Sequence, residues 1–224
     1  MKKYGVIAIA VFVLILSGVI LRGCQGLSHE NAVLKKVISR LEATSRVAEV
    51  LVTGVNYDEK QNKTFTTIKL LEYDSSGKPL KPRYFTFSGN IIQFQSLVIR
   101  FDNIHVRSAD KLRGKSAYLF WKAFMLDGEN TQEYVLTPMN KIPAGYKLEG
   151  ETDPFEEKLW TKFWEYALDP SKADRAGIRN AQIEAPGTMF VPGKLYTIKI
   201  EHDGGLVIDT QTLSPILRGE RIIE

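Results

Sequence analysis

Hydrophobic and polar positions alternate with different spacings along this chain, and each spacing predicts an element. From Tyr4 to Leu21 there is no charge, and only Tyr4, Gly5, Ser17 and Gly18 interrupt the aliphatic character. A helix of that length reaches roughly 27 Å, close to the ~30 Å hydrocarbon layer of a bilayer. The run therefore predicts a transmembrane helix, with Tyr4 at headgroup depth and Lys2, Lys3 and Arg22 snorkelling outward. A signal anchor over residues 1–23 is the first reading. A cleaved secretory peptide is the second, with an apolar core of about 7–15 residues before a small-residue cleavage site. Here the apolar stretch is longer and runs into Arg22-Gly23-Cys24-Gln25. Leu21-Arg22-Gly23-Cys24 also resembles a bacterial lipobox, from which Arg22 departs.

After a linker at Gln25–Ser28, the period becomes helical from His29 to Arg46. Leu34, Val37, Ile38 and Leu41 share one face, and Lys35, Lys36, Arg40 and Glu42 the other. Residues 24–46 thus read as an amphipathic juxtamembrane helix. Leu27, Leu34 and Leu41 keep a seven-residue spacing, and homo-oligomerisation through this helix is one expectation. Packing on the body, or lying along the membrane, is the other, because Glu30 and Thr44 occupy the remaining seam positions.

From Val47 the period shortens to two. Val47–Tyr57 and Lys63–Tyr73 read as paired strands, and Arg83–Ser88 and Ile91–Asp102 as two more, split by Gly89-Asn90. Ser116–Leu126 is apolar on both faces, with Tyr118, Phe120 and Phe124 on one and Leu119, Trp121 and Met125 on the other. A strand covered on both sides has that look, and a buried helix reads similarly. Glu133–Thr137 is expected to return beside it.

Asp153 is a good N-cap, Pro154 suits the first helical position, and Glu156 follows three residues after the cap. Phe155, Leu159, Trp160, Phe163, Trp164 and Ala167 then form a broad apolar helix face that ends at Asp169-Pro170. A short helix is expected over Ser171–Ala176. Asp203-Gly204 marks the turn of a hairpin between Leu195–His202 and Gly205–Thr210. Residues 47–224 read as a single β-rich α+β domain behind an N-terminal transmembrane helix and an amphipathic juxtamembrane helix.

Composition narrows the function. The chain has 224 residues, 44% hydrophobic and 25% charged, which suits a globular protein. Its net charge of +4 owes three charges to Lys2, Lys3 and Arg22; the rest carries 27 basic against 26 acidic side chains. A nearly neutral body has no field with which to gather phosphates, so nucleic acid is not an expected partner. One cysteine and three histidines leave little for a disulfide framework or a metal centre, and no cofactor is expected. Two basic residues precede the apolar run, but Arg22, Lys35, Lys36 and Arg40 follow it, which by count favours a cytoplasmic C-terminus. A two-lysine start before an apolar run is nevertheless the form of an export signal, so the body is expected outside the cytoplasm, at the cell (inner) membrane.

Candidate chemistry is sparse. Glu201-His202-Asp203 sets a histidine between carboxylates beside glycines, and Asp102 with His105 is a second acid–histidine pair. Asp203 and Gly204 are also what a tight turn requires. No Gly-x-Ser-x-Gly, phosphate-loop, His-Glu-x-x-His or dinucleotide motif is present. Arg107, Lys111, Arg113, Lys115 and Lys122 lie near Tyr118 and Trp121, a basic and aromatic stretch suited to headgroups or a polyanion. Trp160 and Trp164 suit either a ligand groove or a core. Asn62-Lys63-Thr64 matches a glycosylation acceptor. The expected function is a non-enzymatic, membrane-anchored interaction domain whose partner is another envelope protein or polymer. The alternatives are a tethered hydrolase using His202 or His105, and a small-molecule or lipid-binding module.

Overall fold

The computed structural model describes residues 46–74, 76–101, 116–128, 130–147, 153–175, 178–200 and 205–214, with isolated positions between 12 and 37. From Arg46 onward the described residues form ten strands and three short helices: β1 (Arg46–Asp58), β2 (Lys63–Glu72), β3 (Arg83–Phe87), β4 (Ile91–Phe101), β5 (Ser116–Asp127) and β6 (Asn130–Val135) come first. A 3-10 turn (Ala144–Tyr146), α1 (Pro154–Leu168), α2 (Pro170–Arg175), β7 (Ile178–Glu184), β8 (Gly187–Met189), β9 (Lys194–Ile200) and β10 (Leu206–Thr212) complete the order.

The strands form two antiparallel sheets. Sheet 1 runs β10-β9-β1-β2-β3; sheet 2 runs β6-β5-β4-β7, with β8 continuing the β7 side of β4. Alternation builds the space between them. Ala48, Val50 and Val52 of β1, Ile68 and Leu70 of β2, and Tyr196 and Ile198 of β9 are buried against Phe94, Val98, Phe120 and Met125 of sheet 2. The other face of sheet 2 carries a helical layer, where Leu97, Ile99 and Leu119 meet Trp160, Phe163, Trp164 and Ala167 of α1 and Ala173 of α2. The architecture is sheet on sheet on helices, with sheet 2 in the middle.

That middle position explains why β5 is apolar on both faces, but the assignment of faces differs from strict alternation. Gln95 of β4 opposes Lys122 while Ser96 opposes Phe120, so Trp121 is an extra residue in a β-bulge. Its carbonyl accepts from both Leu136 and Thr137 amides, at 2.7 and 3.0 Å. Beyond the bulge the faces exchange: Ala123 and Met125 join Phe120 in the inter-sheet core, whereas Phe124 opposes Gln93 on the helix side.

The transmembrane expectation requires correction. No helix among the described residues is long and apolar enough to cross a membrane. The single-pass signal anchor over residues 1–23 is therefore not supported, and the fold is β-rich with short helices. Most of that segment lies outside the described residues, as do Cys24, Leu27, Leu34, Ile38 and Leu41. Of the amphipathic segment, Val33 and Val37 are helical, one turn apart, and buried in the helix-side core. Arg46 already belongs to β1.

The start of α1 is set locally. Asp153 accepts from the Phe155 amide at 2.8 Å and the Glu156 amide at 3.3 Å. His29 Nε2 lies 2.5 Å from Asp153 Oδ2, tying the N-terminal helical segment to this cap. The His29 hydrogen bond, reinforced by the two amides against partial desolvation, holds the Asp153 carboxyl below its ordinary value. Asp153→Ala is expected to cost about 1 kcal/mol in urea unfolding, the usual loss of an N-cap.

Two seams close the sandwich. At the β3/β6 seam, Arg83 donates to the Leu136 carbonyl at 2.8 Å, Tyr134 to the Thr86 carbonyl at 2.7 Å, and the Ser88 amide to Gln132 Oε1 at 2.7 Å. Tyr134 also packs on Phe85 and Phe87, with ring centroids at 4.9 and 5.1 Å. Lys63 and Ser88 both reach Asp127, and their hydrogen bonds lower its pKa. At the opposite seam the Leu206 amide donates to Glu184 at 2.7 Å, and Tyr196 donates to the Met189 carbonyl at 2.9 Å.

Candidate interaction surface

His105 and His202, with Asp102, Glu201 and Asp203, lie outside the described residues, as do Arg107, Lys111, Arg113 and Lys115. Of the basic stretch, Lys122 is described. Its ammonium lies 2.6 Å from Glu133 and 4.9 Å from the Trp121 ring centroid, because the bulge turns both side chains to one side. Lys122 is thus committed to an ion pair and an aromatic face.

Trp160 and Trp164 are fully buried. Trp164 donates to the Lys141 carbonyl at 2.8 Å and stands edge-on to Trp121, and Trp160 packs on Tyr146 and Phe163. Burial pushes the Tyr146 hydroxyl far above its ordinary pKa. These indoles are core. Asn62 occupies a left-handed turn with φ of 51° and accepts from the Tyr57 hydroxyl at 2.5 Å. No cluster of three metal-ligating side chains occurs among the described residues. A shallow apolar depression on the outer face of sheet 1, lined by Leu51, Leu71 and Leu195 with Glu49 and Lys69, offers no arrangement for bond-breaking chemistry.

The feature that calls for explanation lies on the helix side of sheet 2. Along β4 this face carries Ile91, Gln93, Gln95, Leu97 and Ile99, and burial rises along that order. Among the described residues, the helices cover the Leu97–Ile99 end and leave the Ile91 end bare. Ile91 opposes Met189 of β8, and Leu126 lies two residues beyond Phe124, the partner of Gln93. Leu126, Ile91 and Met189 thus make a row across three strands, at 64%, 56% and 54% exposure. Ile183 of β7 stands exposed on the same face, opposite Leu97. Val135 of β6 extends the patch beside Lys122. Gly187 lets β8 approach closely here, since a Cβ at that position would meet Gln93 Cγ at 2.4 Å.

Ile91 and Leu126 fall within strands the sequence predicts, but Ile183 and Met189 belong to strands it leaves unassigned. The signal present is a loose alternation through Ile183 and Met189, interrupted by Pro186-Gly187. No family model, no curated protein and no solved structure matches this chain.

Proposed function

We propose that this protein is a non-enzymatic interaction domain that binds an apolar surface of another protein across the bare end of sheet 2. The observation that carries this reading is the Leu126–Ile91–Met189 row. A buried face that continues into a contiguous run of exposed large aliphatic side chains has the composition of a contact surface, whereas scattered exposed apolar residues do not. The chemistry favours a protein over a polyanionic polymer, because the charged side chains beside the row, Lys122 and Glu133, neutralise each other.

The test is photo-crosslinking in cells producing the full chain. A crosslinking side chain at Leu126 or Met189 is expected to yield one discrete protein adduct, and one at Tyr57, equally exposed on sheet 1, is not. Ile91→Glu, in the middle of the row, is expected to abolish the adduct while changing stability by less than about 0.5 kcal/mol. Adduct formation that is the same at Tyr57, or indifferent to Ile91→Glu, contradicts the proposal.

A further inference from the structure

The four sheet edges are not protected alike. The β3 and β6 edges face each other across the stitched seam of Arg83, Thr86, Tyr134 and Leu136. The β7–β8 edge is broken by Ala185-Pro186. Beyond the Leu206–Glu184 bond at its start, the β10 edge has none of these devices. It holds neither proline nor lysine, pairs with β9 over seven residues without a bulge, and exposes Asp209 through Thr212.

The direction of its backbone groups follows from two bonds. The Leu213 amide donates to the Gly193 carbonyl at 3.0 Å, in register with the β9–β10 ladder, so odd-numbered residues point toward β9. The Leu206 amide points the other way and is taken by Glu184. Ile208, Thr210 and Thr212 share its parity, so their amides and carbonyls line the outer edge with no strand beside them among the described residues. Such a row is a template on which another extended strand pairs in place of water. On the side-chain faces, Ile208, Thr210 and Thr212 lie on the inter-sheet side, and Asp209 and Gln211 on the outer side beside Lys199.

We infer that β10 pairs with β10 of a second copy of this chain, antiparallel about a twofold axis at Thr210. In this register Thr210 meets Thr210 of the partner subunit, and Ile208 meets Thr212 of the partner subunit. Each of these positions contributes an outward amide and carbonyl, which is what a hydrogen-bonded antiparallel pair needs. Asp209 meets Gln211 of the partner subunit, so a carboxylate faces an amide donor on both sides of the axis, and no like charges oppose each other. Moving the twofold to Asp209 would set Asp209 against Asp209 of the partner subunit and require the Leu206 amide that Glu184 already holds; moving it to Gln211 would pair Ile208 with position 214, beyond the strand end at Thr212. The two copies of sheet 1 then form one continuous sheet, and the bare row on sheet 2 is left free.

Sedimentation of the full chain is expected to show a reversible dimer. Thr210→Pro removes one outward amide and no bond to β9, an edge position where proline is tolerated, and is expected to leave a folded monomer. Should that variant unfold by circular dichroism, two further substitutions read the register without touching the backbone. Gln211→Lys places a cation opposite Asp209 and is expected to tighten the dimer roughly fivefold; Gln211→Glu places a like charge there and is expected to weaken it by a similar factor. A wild-type monomer overturns the proposal. So does a dimer that is indifferent to Thr210→Pro and to both Gln211 substitutions, since the contact then lies elsewhere. Crosslinking at Leu126 and Met189 is independent of these results.

Discussion

Replacing Arg83 with alanine is expected to destabilise the fold by about 3 kcal/mol at neutral pH, read by urea unfolding. Glu72, at the end of β2, has only 11% of its side chain exposed and pairs with the Arg83 guanidinium. Arg83 also donates to the Leu136 carbonyl across the β3/β6 seam and lies over the Phe85 ring. Removing one partner of a buried ion pair leaves the other charge without compensation, at a cost of ~3–5 kcal/mol. The lower end applies because Arg83 keeps 32% of its side chain in water.

The dependence on pH separates this cause from a simple loss of contact. Burial raises the Glu72 pKa above its ordinary 4.5, and the charge and hydrogen bond of Arg83 pull it back only in part. A carboxyl whose folded pKa is raised supports the fold below its unfolded pKa, and that support is lost as pH rises through the folded value. Without Arg83 the folded value moves higher still. The difference between variant and wild type is therefore expected to be small near pH 4, where Glu72 is protonated, and to grow toward pH 7. Arg83→Ala combined with Glu72→Gln is expected to regain much of the loss. A difference that stays constant with pH would assign the effect to packing alone. Asp127 acts in the opposite sense: its lowered pKa supplies stability above the unfolded value, lost as pH falls through the folded one.

Trp164→Ala is expected to cost about 3–5 kcal/mol, the range for emptying a large aromatic site. Trp164 is fully buried, holds the Lys141 carbonyl, and meets Trp121 edge-on at 6.0 Å. It stands where α1 meets the bulge of β5, so its loss is expected to loosen the helical layer from sheet 2 before the sandwich itself opens. Hydrogen exchange should then rise first in α1 while the amides of β1 and β9 stay protected. Uniform exchange across both layers would contradict that order. Trp160, equally buried, differs in that its indole N–H has no partner among the described residues. Its place in the layer rests on packing against Tyr146 and Phe163.

Much of the strand order is legible in the sequence because the body relies on short-range signals. Asp153, Pro154 and Glu156 mark the start of α1, and alternation from Ala48 to Val52 marks the buried face of β1. What is not legible depends on partners distant in sequence. The bulge at Trp121 exchanges the faces of Phe124 and Met125, and nothing in the spacing of β5 announces it. β7 and β8 are missed because Pro186-Gly187 resembles a loop, although both strands pair with β4. The uncharged run from Tyr4 has the length and composition of a span, yet no helix among the described residues meets that requirement. For the interaction surface, Ile91 and Leu126 are readable as strand residues. That α1 covers one end of sheet 2 and leaves theirs bare follows only from the packing of Trp160 and Trp164.

The methionines provide the most direct test of the bare face as a binding surface. Met189 lies in the row at 54% exposure, Met139 lies in a turn outside it at 50%, and Met125 is buried at 4%. Brief peroxide oxidation converts accessible thioethers to sulfoxides, and mass spectrometry reads each site separately. In the purified chain, Met189 and Met139 are expected to oxidise at similar rates and Met125 far more slowly. In intact cells, Met189 alone is expected to become protected while Met139 stays reactive. Equal reactivity of Met189 and Met139 in cells as in the purified chain would mean that nothing covers the row, and would contradict the proposed function.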